Sequence, residues 1–450
     1  MIAALLLITV SAAERPNVVL VMADDVGREC FGCYGSTQYR TPSIDRLAAA
    51  GVQFMNCHSQ PLCTPSRVKL MTGRGNAENY VAFSILKPGL KTIGQYFQEA
   101  GYATAVCGKW QLLGSAGYAE RFRFRGSWPE ECGFDRHCLW QVAQRGDRYW
   151  HPMLRTDGKL TQHGDDAYGP DVVARFAREF IRENREQPFL LYYPMMLVHD
   201  PFLPTPESPA DRNRKRAGKN RQANFEDMAT HMDAIVGSLV DELVAQGVAD
   251  DTLFLFCGDN GTHKTIVSTL DGREIRGGKG TTLNRGTHVP LVASWPGRAQ
   301  AHAEERLVDF TDFLPTVLEA AGIAHDGLPG VSFLSQIEGR EGPTREVSTC
   351  YYWPRPERGE PVRYAFDGRF KLYADGRLFD TREDPEERTP LPANSERHAA
   401  LRAAIDRLPQ QGASILNLDE PRPEPPAFDG SRTQNDVRRL SGKSSTIVAP

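Results

Sequence analysis

Four stretches of this chain are apolar at almost every position, and each breaks off at polar residues. Residues 17–23 run into Asp24 and Asp25, 103–108 into Lys109, 189–198 into His199, and 252–258 into Asp259 and Asn260. A strand with one face in water alternates apolar and polar residues, whereas a run apolar throughout must be covered on both faces. Between the runs lie segments with helical spacing, 43–52, 92–102 and 225–246, each closing at a glycine (Gly51, Gly101, Gly247). This alternation predicts an α/β fold, a doubly wound, mostly parallel sheet sandwiched by helices. In such sheets ligands bind beyond the carboxyl ends of the strands. An acid after a strand is ordinarily a turn or cap residue. Six polar side chains at four strand ends point instead to a site.

Past residue 340 the pattern changes. Residues 362–381 alternate around Asp-Gly turns, which predicts antiparallel hairpins, and a helix is expected over 395–408. A single core seldom grows past roughly 250–300 residues. The expected division is a large domain over 14–340 and a smaller antiparallel-sheet subdomain over 341–450, ending in a Pro-rich tail (Pro421, Pro423, Pro425, Pro426). The apolar start, 1–10, followed by Ser11, Ala12 and Ala13, reads as a signal peptide over 1–13, although it lacks a basic n-region; a buried first strand is the alternative. No later run reaches the roughly 18 apolar residues of a membrane helix. The expectation is an exported protein without a membrane span. A net charge of -4 argues against a nucleic-acid partner. The basic run 211–221 reads as a solvated loop or as one wall of an anion-binding cleft.

There are nine cysteines, so at least one thiol is unpaired. Cys30 and Cys33 form a C-x-x-C, a weak signal for redox or metal chemistry that reads rather as a local disulfide or as two plain thiols. Cys132 and Cys138 are candidates to close a small loop, and Cys107 and Cys257 lie in apolar runs as core residues.

The most informative segment is 63–74, Cys-Thr-Pro-Ser-Arg-Val-Lys-Leu-Met-Thr-Gly-Arg. Thr64 suits a helix cap, Pro65 the first turn and Gly73 the exit. Cys63 is thereby expected at a helix N-terminus, where free N–H groups favour an anion, with Arg67 one turn on. Taken alone, this is a thiol with a lowered pKa.

C-x-P-S-R followed by T-G-R resembles the signature of the formylglycine-dependent (type I) sulfatases of the alkaline phosphatase superfamily. Further blocks match in order: 16–26 with its Asp-Asp, 41–54, Gly108-Lys109-Trp110, His199-Asp200-Pro201, Gly258-Asp259-Asn260-Gly261, Gly277-Gly278-Lys279-Gly280 and 369–388. The likeness is thin over 112–185 and 203–224. It implies that a maturation enzyme oxidises Cys63 to formylglycine. It also implies one divalent cation, Ca²⁺ or else Mg²⁺, held by Asp24, Asp25, Asp259, Asn260 and residue 63. Arg67, Lys109 and Lys279 would neutralise the sulfuryl oxygens. A hydroxyl of the hydrated aldehyde would attack sulfur, and His199, with Lys279, would protonate the departing alcohol. The implied substrate is a sulfated small molecule or glycan. Phosphodiester and phosphonate monoester hydrolases of the same superfamily share these motifs, and an exported, non-catalytic glycan-binding protein would keep the fold.

Two positions depart from the resemblance. Gln111 stands where the family has histidine after Gly-Lys-Trp, and glutamine cannot take a proton. That histidine is a candidate base for sulfate expulsion, and His263 is a possible substitute. Asn284, Arg285 and His288 also differ, which suggests altered substrate contacts.

Overall fold

The computed structural model describes residues 15–209, 221–354, 359–392 and 397–410. The expected signal peptide, the basic run up to residue 220 and the Pro-rich tail lie outside the described residues. The strands are β1 (Asn17–Ala23), β2 (Val52–His58), β3 (Ala103–Lys109), β4 (Arg136–Trp140), β5 (Met153–Thr156), β6 (Lys159–Gln162), β7 (Phe189–Pro194), β8 (Thr252–Gly258), β9 (Val267–Leu270), β10 (Arg273–Arg276), β11 (His288–Ser294), β12 (His302–Glu304), β13 (Val308–Asp309), β14 (Ser348–Tyr352), β15 (Val362–Phe366), β16 (Phe370–Tyr373) and β17 (Leu378–Asp380).

The four apolar runs become β1, β3, β7 and β8, and every residue in them is buried. They lie side by side in an eleven-stranded sheet of order β12-β2-β11-β8-β1-β7-β3-β4-β5-β6, with β13 also against β2. The middle, β8-β1-β7-β3-β4, is parallel. The flanks make the sheet mixed: β11 is antiparallel to β8 and β2, and β5 and β6 run antiparallel beyond β4. Alternate residues of β1 feed two cores. Val19, Val21 and Ala23 face the helices Gly169–Glu183 and Arg221–Ala245; Val18, Leu20 and Met22 face the opposite layer.

The third apolar run is strand only as far as Pro194, which has no N–H to continue the ladder. Residues 195–198 instead cross the end of β1. Met195 N–H donates to Met22 O (2.8 Å), Asp24 N–H to Leu197 O (2.8 Å) and Val198 N–H to Asp24 O (2.7 Å). This crossing carries His199 to Asp24 and Asp25.

The expected hairpins form a separate four-stranded antiparallel sheet, β14-β15-β16-β17. The expected C-terminal helix is Arg397–Asp406, packed through Leu401, Ala404 and Ile405 on Ala365, Leu372 and Leu378. All nine cysteines are free, so neither Cys30–Cys33 nor Cys132–Cys138 is bridged.

The helix Cys63–Thr72 is buried at every residue. Lys69 anchors it: its Nζ lies 2.8 Å from Asp309 Oδ2 and donates to Thr349 O of β14 at 3.2 Å. Ser348 Oγ donates to the same Asp309 oxygen at 2.6 Å. Burial opposes the Asp309 charge, but Lys69 and Arg345 hold its carboxyl far below the usual range. Removing one partner of a buried pair leaves the other charge stranded. Lys69→Met is therefore expected to cost about 3–5 kcal/mol in urea unfolding, and Lys69→Met with Asp309→Leu less than Lys69→Met alone.

Candidate active site

Cys63 is the first residue of its helix, as expected, and is 1% exposed. The cap differs from expectation. Leu62 takes the N-cap position, and Thr64 Oγ1 instead accepts from the N–H of Ser84 at 3.0 Å. Gly73 closes the helix in the left-handed region (φ 62°), its N–H on Lys69 O at 2.9 Å.

Register assembles the acids. β1 pairs β8 with Ala23 opposite Gly258, so Asp24 and Asp25 stand beside Asp259 and Asn260. Asp25 N–H donates to Asp259 Oδ1 (3.0 Å), and Asn260 Nδ2 donates to Asp25 Oδ1 (2.9 Å). The ligand atoms of Asp24, Cys63 and Asp259 lie within 4.8 Å of one another, as do those of Asp24, Asp25 and His199. Two lysines face them. Lys109 Nζ is 2.7 Å from Asp24 Oδ2; Lys279 Nζ bonds Asp25 Oδ2 and sits 3.0 Å from His199 Nε2.

Electrostatics follow from that packing. Burial raises all three carboxyls. For Asp24, Lys109 leads the charges that outweigh burial and leave its carboxyl low; for Asp25, His199 and Lys279 do so. Asp259 goes well up, through burial and the neighbouring Asp24 and Asp25 charges. Asp24 Oδ1 and Asn260 Oδ1 are buried with no hydrogen-bond partner. Three carboxylates and an amide at one point, two of their oxygens orphaned, fit a hard dication.

His199 Nδ1 lies 2.6 Å from Asp200 O, a carbonyl that can only accept, so Nδ1 carries the hydrogen. Nε2 then accepts from Lys279 Nζ. Burial, with Lys109 and Arg148, pulls the imidazole down to about 4 despite Asp25 and Asp24. The histidine is neutral, and the proton of the pair rests on Lys279.

Gly108 sits at φ 113°, and a Cβ there would lie 2.0 Å from Pro194 O, so only glycine admits the turn before Lys109. Arg67 Nη2 donates to the carbonyls of Lys109 and Trp110, while its Nε and Nη1 are buried without partners. Gln111 (φ 49°) donates its N–H to Gln141 O at 3.0 Å. Its Oε1 is 3.7 Å from Cys63 Sγ, and its Nε2 donates to Tyr118 OH at 3.1 Å.

His263 lies within electrostatic reach of Asp200, Asp25 and Lys279, and burial leads in lowering its pKa. It bonds Thr265 Oγ1 within its own turn (2.8 Å) and meets Phe202 edge-on. The three divergent positions make structural contacts: Asn284 Nδ2 with Thr381 Oγ1 (2.9 Å), Arg285 with Glu386 (3.0 Å), and His288 with Met55 O (2.8 Å) and the ring of His58. Sequence reasoning missed Tyr118, Gln141 and Arg148, which lie in the stretch without a periodic pattern.

A family model described as Sulfatase matches residues 16–323. The chain belongs to the sulfatase family. Such enzymes hydrolyse sulfuric esters. Human arylsulfatase A is 28% identical over 416 residues, 83% of this chain and 78% of that protein. An N-acetylgalactosamine-6-O-sulfatase of Bacteroides thetaiotaomicron is 26% identical over 417 residues, 74% of this chain and 78% of that one. Among solved structures, one in complex with its substrate D-glucosamine-2-N,6-O-disulfate has a TM-score of 0.70 at 20% identity, covering 87% of this chain and 97% of its own. A sulfatase from Pseudoalteromonas sp. has a TM-score of 0.67 at 23% identity, covering 89% and 92%. These structures share the fold of this sulfatase. Among the described residues no helix is long and apolar enough to cross a membrane.

A ligand that binds only the folded state stabilises it by mass action, about 2.7 kcal/mol at a hundred times its Kd. Adding Ca²⁺ or Mg²⁺ to chelator-stripped sulfatase is expected to raise its thermal midpoint. Asp24→Asn is expected to abolish that rise; a rise that survives in the variant places the cation elsewhere.

Proposed function

We propose that this sulfatase removes sulfate from carbohydrate, with residue 63 as nucleophile after its cysteine has been oxidised to formylglycine by a maturation enzyme. The observation that carries this reading is the closure of Cys63 Sγ on Asp24 and Asp259 with Lys109 and Lys279 beside them. The thiol stands in for an oxygen of the aldehyde hydrate. As a thiol it is a poor nucleophile here, because burial raises its pKa despite Lys109.

Asp24, Asp25, Asp259, Asn260 and residue 63 would hold one dication, Ca²⁺ or Mg²⁺, which supplies positive charge for the sulfate oxygens and the nucleophile. Lys109 and Lys279 face the same point and offset the sulfuryl charge in a site that excludes water. Arg67 keeps Lys109 in place by gripping the main chain after β3. One hydroxyl of hydrated residue 63 attacks sulfur, and the bond from sulfur to the alcohol oxygen breaks. The proton for that oxygen comes from the Lys279–His199 pair. Loss of the second hydroxyl's proton then breaks the carbon–oxygen bond to sulfate and restores the aldehyde.

The carbohydrate assignment rests on the Bacteroides relative, named for N-acetylgalactosamine sulfate, and on the structural neighbour with a sulfated glucosamine. We read residues 1–13 as a signal peptide, 14–340 as the catalytic domain and 341–450 as the C-terminal subdomain, which makes this an exported enzyme.

Co-expression with a maturation enzyme is expected to give an aldehyde at residue 63, seen by peptide mass spectrometry and trapped by hydrazines. Sulfate release from glycans should track its occupancy. Full activity from protein that is wholly thiol at 63 refutes the mechanism.

Gln111 generates a kinetic expectation. General base help is worth roughly 10²–10⁴-fold, and glutamine supplies none. Sulfate expulsion should therefore lag behind alcohol release and give a burst before steady state. Gln111→His is expected to shrink the burst, and unchanged kinetics would make Gln111 mechanistically neutral.

A further inference from the structure

Arg148 is a buried cation without a counter-ion. It is 9% exposed, it has no ion-pair partner among the described residues, and its Nη1 is enclosed with no hydrogen-bond partner. Its guanidinium lies over the ring of Trp140, 3.9 Å from the centroid. Trp140 closes β4 opposite Lys109 in the parallel ladder, so both side chains leave the same face of the sheet. The neighbouring Tyr149 donates its hydroxyl to the carbonyls of Met196 (2.8 Å) and His199. Arg148 thus occupies the wall that runs from Lys109 to His199. Its charge reaches Asp24 and His199 across the cleft. The alcohol half of a substrate must rest along this wall if His199 and Lys279 are to reach its oxygen.

A charge so placed calls for an explanation, because buried guanidinium groups are ordinarily paired. Of the three acids at the centre, Asp24 is taken by Lys109 and Asp25 by Lys279, while Asp259, its pKa raised by burial and by the other two, makes no ion pair among the described residues. A dication held by those acids would leave Arg148 still less compensated. Stacking on Trp140 fixes the guanidinium by its face and leaves its edge donors free. An edge of that kind matches two oxygens of a carboxylate or sulfate.

We propose that Arg148 recognises a second oxyanion on the alcohol half of the substrate, a carboxylate or a further sulfate, and so selects multiply charged sulfated sugars. This rests on the reading of residue 63 and its lysines as the reacting centre. The test is competitive inhibition of 4-nitrophenyl sulfate turnover by three probes: N-acetylglucosamine 6-sulfate, glucosamine N,6-disulfate and a sulfated uronate disaccharide. The wild type is expected to bind at least one doubly charged probe more tightly than the singly charged one. The probe preferred tells carboxylate from sulfate. In Arg148→Gln the inhibition constant of the preferred probe is expected to rise about 10- to 100-fold, the worth of a charge-assisted hydrogen bond. The singly charged probe is expected to lose much less, and Arg148→Lys should restore part of the preferred probe's loss. Equal weakening of all ligands, no weakening, or no wild-type preference for a second charge each overturns the proposal. Cys63→Ala provides the separate control: if it stays fully active, the underlying reading of the centre fails, whatever Arg148 does.

Discussion

Three carboxylates share one dry point in this molecule, and the fold around it answers to their repulsion. Asp24, Asp25 and Asp259 are 2%, 0% and 1% exposed. Two unit charges about 4 Å apart interact by roughly 4 kcal/mol even at an effective dielectric of 20. The chain sets cations against them from separate elements. Lys109 arrives at the end of β3, and Lys279 arrives from the loop between β10 and β11. Because β3 is separated from β1 by β7, the lysine reaches Asp24 across one intervening strand. That strand ends at Pro194, and the main chain after it folds over β1 with His199. The early end of β7 and the position of the histidine are one feature.

Residue 63 is held as firmly as the acids. The helix Cys63–Thr72 has no exposed face, so side chains do the work that water does on a surface helix. Arg67 grips the chain after β3, and Lys69 grips Asp309. Asn76 Nδ2 donates to Pro65 O (2.9 Å), and Asn79 Nδ2 donates to Val68 O (3.1 Å) and Thr72 Oγ1 (2.8 Å). Together these bonds tie the helix along its whole length to Asn76, Asn79, Asp309 and the chain after β3. A reacting atom held this way loses little freedom on binding, which is where positioning helps a reaction.

What was legible in the sequence is what burial on both faces makes legible. β1, β3 and β8 showed as apolar runs, and their polar endings marked Asp24, Asp25, Lys109, Asp259 and Asn260. β5 and β6 left no such mark: Lys159–Gln162 is mostly exposed, and a short strand with little core contact carries little pattern. β11 runs against the direction of β8, which apolar composition alone cannot reveal. The cap at Leu62 escaped because Thr64 has the right chemistry for a cap but finds a better donor in Ser84, a contact between residues twenty apart. Tyr118, Gln141 and Arg148 matter through where loops come to rest, and loops carry no period.

Gln111 shows how a side chain that cannot ionise is still given a direction. A glutamine amide has a donor end and an acceptor end, and its neighbours decide which faces the reaction. Gln141, also in the left-handed region (φ 57°), lies beside it at the end of β4 and points its own Nε2 at Tyr118 OH, at 3.4 Å. Tyr118 OH therefore receives both amides and is also hydrogen-bonded to Ser84 Oγ. With its NH₂ engaged there, Gln111 can turn only its carbonyl oxygen toward residue 63. An acceptor at that place can hold a hydroxyl of a hydrated side chain in one orientation, but it cannot carry its proton away. The site thus keeps the alignment an imidazole would provide and gives up its basicity. The proton must then leave by another group or by water.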